Sequence, residues 1–143
     1  MRKILVISFV ICLAVMSAAA QTVYTPEKGS PERKAILDAL RVPVEKQLKQ
    51  KVIFAAENFN VYSNWAFIGG APQSADGGKL NYSGTRYAQA QAAGMFDSNI
   101  FALLKKTAGA WKVITFQIGC TDVCYLPWQK QYRAPKAVFP YTE

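Results

Sequence analysis

The chain has 143 residues, no histidine, a formal net charge of +8 and a hydrophobic fraction of 51%. This length suits one domain with a real core, and the lack of histidine excludes imidazole-based catalytic triads, the usual zinc and copper sites and histidine-ligated haem. The basic residues are spread along the chain without a dense run, which is typical of an ordinary soluble surface and not of a nucleic-acid-binding one.

The first 20 residues have the three parts of a secretory signal peptide. Arg2 and Lys3 form a positive region, residues 4–16 are almost entirely apolar, and residues 17–20 are the small residues that signal peptidase recognises. The apolar run is shorter than the roughly 20 residues that a membrane-spanning helix needs. We therefore expect cleavage after residue 20, a periplasmic or secreted location, and no stable membrane anchor in the mature protein. Removal of Arg2 and Lys3 lowers the net charge to +6.

Residues 21–29 form a short polar arm in this interpretation, and residues 30–143 form a single α+β domain. Ser30, Pro31 and Glu32 together predict a helix start, with a capping hydroxyl, a proline at the first helical position and a carboxylate near the positive end of the helix dipole. The apolar residues that follow recur at helical spacing: Ile36, Leu37, Leu40, Val44 and Leu48. Because Pro43 has no N–H and restricts the residue before it, we expect the helix to end or kink near Arg41.

Valine, isoleucine and aromatic residues then predict a hairpin with strands at about 52–62 and 65–72. The turn falls at Ser63 and Asn64, and we expect Asn64 to adopt the positive φ that a tight turn requires. Gly69 and Gly70 predict either the end of the pairing or a bulge. The 25 residues from 73 to 97 are a long connection with one short helix near 86–93, and such loops are either functional covers or disordered.

A second hairpin is predicted on either side of residues 107–110, where a short segment contains Gly109. Side chains of its second arm alternate between the two faces of the strand. One face carries Trp111, Val113, Thr115 and Gln117, and the other carries Lys112, Ile114, Phe116 and Ile118. This pattern predicts an arm that is buried on much of both faces, with Trp111 as a core anchor.

Cys120 and Cys124 are the only cysteines after the signal peptide. In an oxidising compartment they are expected to form a structural disulfide across an irregular turn, in which Asp122 caps the following segment. The alternative is a redox-active pair, although the spacing is not Cys-x-x-Cys and no thioredoxin-like βαβ pattern surrounds it.

The C-terminal residues 125–133 are predicted to form one or two helical turns, which Ala134 and Pro135 close. Aromatic and cationic side chains alternate there, and they could either cover the open end of a sheet or contact a sugar or an anionic ligand. The candidate contact surface comprises two carboxylates and four residues of this segment: Asp97, Asp122, Tyr125, Trp128, Tyr132 and Arg133.

The order helix, hairpin, long loop, hairpin predicts a curved four-stranded antiparallel sheet packed around the N-terminal helix, with a short C-terminal helical segment. In this order the chain resembles small secreted bacterial proteins of the cystatin-like or NTF2-like α+β class. The resemblance lies in residues 29–41, 64–67, 103–106 and 109–113 and in Gly119, and it spans about residues 29–139. It implies a fold and not a reaction, because proteins of this appearance generally have no assigned activity.

Two classes of function remain open from the sequence. The first is a non-catalytic periplasmic module that binds a small ligand or a protein partner, with no cofactor, no metal and no nucleic acid. Its candidate contact surfaces are the concave face of the sheet, the 73–97 loop and the Cys120–Cys124 turn. The second is a small periplasmic enzyme that uses carboxylates or tyrosines as acid–base groups in an NTF2-like cavity, with Asp97 and Asp122 as the candidate carboxylates. NTF2-like enzymes that use an Asp–His pair have no counterpart here because the chain lacks histidine. A cavity whose polar side chains converge on either aspartate would favour the enzyme, whereas a filled core with an exposed aromatic patch would favour the module. Of the two, we expect the binding module.

Overall fold

A computed structural model describes residues 21–143, so the predicted signal peptide lies outside the described residues. The first element is helix α1, Pro31–Leu48. The Ser30 side chain accepts a hydrogen bond of 3.2 Å from the backbone N–H of Arg33, Pro31 lies at the helix start, and Glu32 lies in the first turn. The predicted helix start is therefore confirmed.

The Ser30 cap leads to a stability prediction. Ser30→Ala removes the acceptor of the Arg33 N–H, and we expect it to lower the free energy of unfolding by roughly 0.5–2 kcal/mol. Urea denaturation of the wild type and of the variant measures the difference. Ser30→Gly serves as a control, because glycine is tolerated at this position and its substitution costs roughly a few tenths of a kcal/mol. Equal midpoints for wild type and Ser30→Ala would contradict the capping role.

The predicted end of the helix near Arg41 is wrong, since α1 continues through Pro43 to Leu48. A proline inside a helix costs about 3 kcal/mol, while each fully buried large aliphatic side chain contributes about 1.5–3 kcal/mol. Val44 and Leu48, both after the proline, are 0% and 1% exposed. Their burial offsets the cost of Pro43. The helix ends where Lys49 adopts a φ of 57° and its N–H bonds to the carbonyl of Glu45.

The sheet has four strands: β1, Val52–Tyr62; β2, Trp65–Ser74; β3, Ile100–Thr107; and β4, Ala110–Ile118. Their order in space is the order in sequence, and each neighbouring pair is antiparallel. Both hairpins are where the sequence predicts them. In the first turn, however, Ser63 and not Asn64 has the positive φ, at 55°.

A bulge interrupts the pairing of β1 with β2. Ala56 pairs with Gly70 and Asn58 pairs with Gly69, so Glu57 is the extra residue. A Cβ atom on Gly70 would lie 2.1 Å from the carbonyl oxygen of Ala55, which explains why glycine occupies this position. Of the two predicted alternatives the bulge is correct, although it lies in β1 opposite the glycines, and the pairing continues to Ser74.

A second bulge lies in β4, where Ile114 is the extra residue between the Thr115–Leu103 and Val113–Leu104 pairs. A bulge shifts the side-chain alternation by one residue. Trp111 and Val113 therefore point to the same face as Phe116 and Ile118, and all four pack in the core beneath the helix. The predicted regular alternation is wrong at this point, and so is the prediction of burial on both faces, because Lys112, Ile114 and Gln117 are exposed.

Both faces of the sheet are covered. The first face packs against α1, whose stripe of Ile36, Leu40, Val44 and Leu48 is buried. The opposite face packs against residues 120–140, which contain helix α3, Trp128–Gln131, and a 3-10 turn, Lys136–Val138. The protein is thus an α+β domain with one long helix on a four-stranded antiparallel sheet and a short C-terminal helix, as predicted.

The N-terminal arm lies along the outer edge of β1. Tyr24 and Val61 exchange backbone hydrogen bonds of 3.0 and 2.7 Å. The Tyr24 hydroxyl donates to the Glu32 carboxylate at 2.8 Å, and Arg33 donates to the carbonyl oxygen of Pro26 at 3.0 Å. Residues 21–26 therefore extend the sheet by one short bridge and fasten the arm to the start of α1.

Candidate functional site

The chain leaves β4 through a cross-linked turn. Cys120 and Cys124 form a disulfide with a Cα–Cα distance of 6.1 Å, and residues 120–124 contain no regular helix. The side chain of Asn99 holds the turn from the other side, since its Nδ2 donates to the Cys120 carbonyl at 2.7 Å and its Oδ1 accepts from the Cys120 N–H at 2.9 Å. The predicted disulfide and the irregular turn are both present.

This ring of five residues is too short to remove much chain entropy. We expect the Cys120→Ser/Cys124→Ser double variant to lose about 2 kcal/mol or less of unfolding free energy and to keep the fold. Chemical denaturation measures this loss. Intact mass after alkylation of the unfolded, unreduced protein checks the bond itself, with Thr121→Ser inside the ring as a control. Two added alkyl groups on the wild type would contradict the disulfide.

The aromatic residues after the turn belong mainly to the core. Tyr125 and Trp128 are 6% and 3% exposed, and the Tyr125 ring packs 4.8 Å from Phe67 and 4.9 Å from Phe101, between centroids. Burial of Tyr125 raises the pKa of its phenol above the usual value. These two residues cover the second face of the sheet and do not form an accessible contact surface. Of the predicted surface in this segment, Tyr132 is half-buried and Arg133 is exposed.

The two candidate carboxylates lie at the surface. Asp97 is exposed, and Asp122 is exposed with its Oδ1 accepting a 2.7 Å hydrogen bond from the N–H of Val123. This bond stays within the cross-linked turn, and the helix that follows, α3, begins after Pro127 without a side-chain cap, so Asp122 does not cap that helix.

The long connection between the hairpins, residues 75–99, folds back over the domain. It contains one short helix, α2, Ala88–Ala92, inside the range that the sequence predicts. Leu80 and Tyr82 are 8% and 3% exposed, and they join the core between α1 and the sheet. Gln50, just after α1, donates to the carbonyl of Asn81 at 2.6 Å and accepts from its N–H at 3.2 Å. The connection is therefore an ordered cover.

Three aromatic rings pack against one another within this cover, edge to face or tilted. The Tyr82 and Phe96 centroids are 4.6 Å apart, and Tyr87 lies 5.5 Å from Phe96. Gln47 of α1 donates a hydrogen bond to the Tyr87 hydroxyl. The Phe96 ring rests directly on Gly119, where a Cβ atom would come within 2.0 Å of it. Phe96 and Gly119 thus fix the end of the cover to the end of β4.

A cleft of about 290 Å³ opens between this cover and the end of β2. We call it the loop cleft, and its walls are formed by Ala71, Pro72, Gln73, Gly77, Gly78, Lys79, Leu80, Tyr82, Gln91 and Ser98. Pro72, Leu80 and Tyr82 in these walls are buried. Clefts of 360 and 490 Å³ elsewhere on the surface contain no buried residue. Of these three clefts, the loop cleft is therefore the one whose walls are part of the core.

Tyr82 is the unusual residue of the loop cleft. Its hydroxyl oxygen is buried and has no hydrogen-bond partner among residues 21–143. Burial raises the pKa of the Tyr82 phenol, and the neighbouring Tyr87 raises it further. The group therefore stays protonated at neutral pH. An unpartnered buried hydroxyl costs stability, and such groups are uncommon in folded proteins.

The 73–97 loop, one of the expected contact surfaces, forms most of the loop cleft, whereas the six residues named individually do not line it: Asp97, Asp122, Tyr125, Trp128, Tyr132 and Arg133. The signal that points towards it is the length of the 73–97 connection, for which a functional cover was one of two expected outcomes. The other walls come from polar residues of ordinary type, such as Gln73, Gln91 and Ser98, whose proximity depends on the fold.

No group of acidic or cysteine side chains among residues 21–143 is arranged to hold a metal ion. Within the same range, no helix has the length and apolar character to cross a membrane. Neither a family model, nor a curated protein, nor a solved structure matches this chain.

Proposed function

We propose that this protein is a non-catalytic binding module that acts in the periplasm or outside the cell and holds a small ligand in the loop cleft. The observation that carries the proposal is the cleft itself, in which buried apolar side chains such as Leu80 and Tyr82 lie beside polar ones. Small-molecule sites combine apolar walls with a few placed polar groups. The loop cleft has this composition, with Leu80 and Pro72 beside Lys79 and Gln91.

The periplasmic or secreted location is supported by the signal-peptide pattern of the first 20 residues and by the disulfide in the described part of the chain. We also propose that the fold belongs to the cystatin-like or NTF2-like class. Its support is the succession of one helix and four antiparallel strands in sequential order.

The alternative of an enzyme has less support. Asp97 and Asp122 do not line the loop cleft, and both are exposed. The tyrosines near the cleft, Tyr82 and Tyr87, have pKa values raised by burial, which makes each a poor base at neutral pH. Binding without reaction is therefore the function that these side chains support.

The test is a fragment screen on the mature protein, read by ¹H–¹⁵N chemical-shift changes and by the melting temperature. Gln91→Trp places a large ring in the cleft wall, and Gln89→Trp is the matched control on the same exposed helix outside the cleft. We expect fragments that shift the amides of residues 78–82 in the wild type and in Gln89→Trp, and not in Gln91→Trp. Fragments that bind all three proteins equally, or no binding at these amides, would refute the proposal.

A further inference from the structure

The chemistry of the cleft walls points to a class of ligand, an inference that rests on the proposed binding function. The volume of about 290 Å³ lies at the lower end of the range for small-molecule sites, so the ligand is small. Ala71, Pro72, Leu80 and the ring of Tyr82 offer a compact apolar surface. The ligand therefore has an apolar body of limited size.

The charge in the walls has one sign. Lys79 is the single basic side chain of the lining, which contains no carboxylate, and it is exposed. The nearest carboxylate in sequence, Asp76, accepts hydrogen bonds from the Ser74 hydroxyl and from the Gly78 N–H at 3.1 Å. These bonds direct Asp76 into its own turn. A cationic ligand would thus find no free carboxylate in the cleft lining, whereas an anionic ligand would find Lys79.

The walls also offer more hydrogen-bond donors than fixed acceptors. Lys79 donates, while Gln73, Gln91 and Ser98 can donate or accept. We propose that the loop cleft binds a small carboxylate on a compact apolar body, with Lys79 as its counterion.

The test compares benzoate, benzyl alcohol and benzylamine, three probes with the same ring and different charge, by ¹H–¹⁵N titration of the mature protein. We expect benzoate to bind most tightly and to shift the amides of residues 78–82. Lys79→Gln should weaken benzoate binding about three- to tenfold, since the lysine is exposed and its charge is screened. Lys79→Arg should retain the affinity, and Lys46→Gln, an exposed lysine outside the cleft, should not change it.

The outcomes also distinguish the ligand class from the binding function. If benzyl alcohol or benzylamine binds at residues 78–82 as tightly as benzoate, the cleft binds ligands but the carboxylate class is wrong. If none of the three probes, and no fragment of the wider screen, shifts these amides, the binding function fails together with this inference.

Discussion

Replacing Trp111 with alanine is expected to lower the free energy of unfolding by about 3–5 kcal/mol. Trp111 is 8% exposed and packs in the core between α1 and the sheet, although it lies on the outer strand β4. Its truncation leaves a cavity that the edge of the sheet cannot fill without breaking the packing against the helix. Urea denaturation followed by far-ultraviolet circular dichroism measures the loss without using tryptophan fluorescence.

Lys112→Ala is the matched control for Trp111→Ala, because Lys112 is the next residue on β4 and its side chain is exposed. A surface substitution of this kind changes stability by about 0.5 kcal/mol or less. Equal losses for the two variants would mean that Trp111 is not a core anchor, which would contradict the face assignment of β4.

The second large effect is expected at Gly119. Its φ is +80°, and a Cβ atom there would lie 2.0 Å from the Phe96 ring. Alanine in the left-handed region costs about 1–2 kcal/mol, and overpacking a filled site adds about 1–3 kcal/mol. Gly119→Ala should therefore lose about 2–5 kcal/mol. Because Phe96 fixes the cover, we also expect shifted amides in residues 80–98.

Gly109→Ala separates the two causes. Gly109 has a nearly identical φ of +79°, but no atom lies within 4 Å of its Cβ position. This control should show the backbone cost alone, about 1–2 kcal/mol. Chemical denaturation of both variants gives the difference, and an equal loss at both positions would show that Phe96 does not press on Gly119.

The elements of the fold follow largely from local patterns. Ser30 and Pro31 define the start of α1, and the glycine and asparagine turns separate strands whose predicted and observed limits agree closely. The end of α1 does not follow from local pattern, since Pro43 is a strong local signal that the burial of Val44 and Leu48 overrides. That burial depends on strands that are distant in sequence.

The bulges and the site depend on tertiary contacts in the same way. Nothing in the sequence around Ile114 marks it as the extra residue of β4. One such residue moves every side chain beyond it to the opposite face of the strand. Likewise, Asn81, Tyr82 and Ser83 look like surface residues of a long loop. The burial of the Tyr82 ring results from the return of this loop to α1 and the sheet, which only the assembled fold shows.

The two bulges have a consequence for behaviour at high concentration. Glu57 interrupts β1 and Ile114 interrupts β4, and these are the two outer strands of the sheet. A bulged edge is a poor template for a strand from another molecule, and the bridge between Tyr24 and Val61 occupies a further part of the β1 edge. The folded protein should therefore resist edge-to-edge aggregation. A chain shortened to begin at Glu27 should aggregate more readily, because it leaves the backbone N–H and carbonyl of Val61 without their partner at the sheet edge.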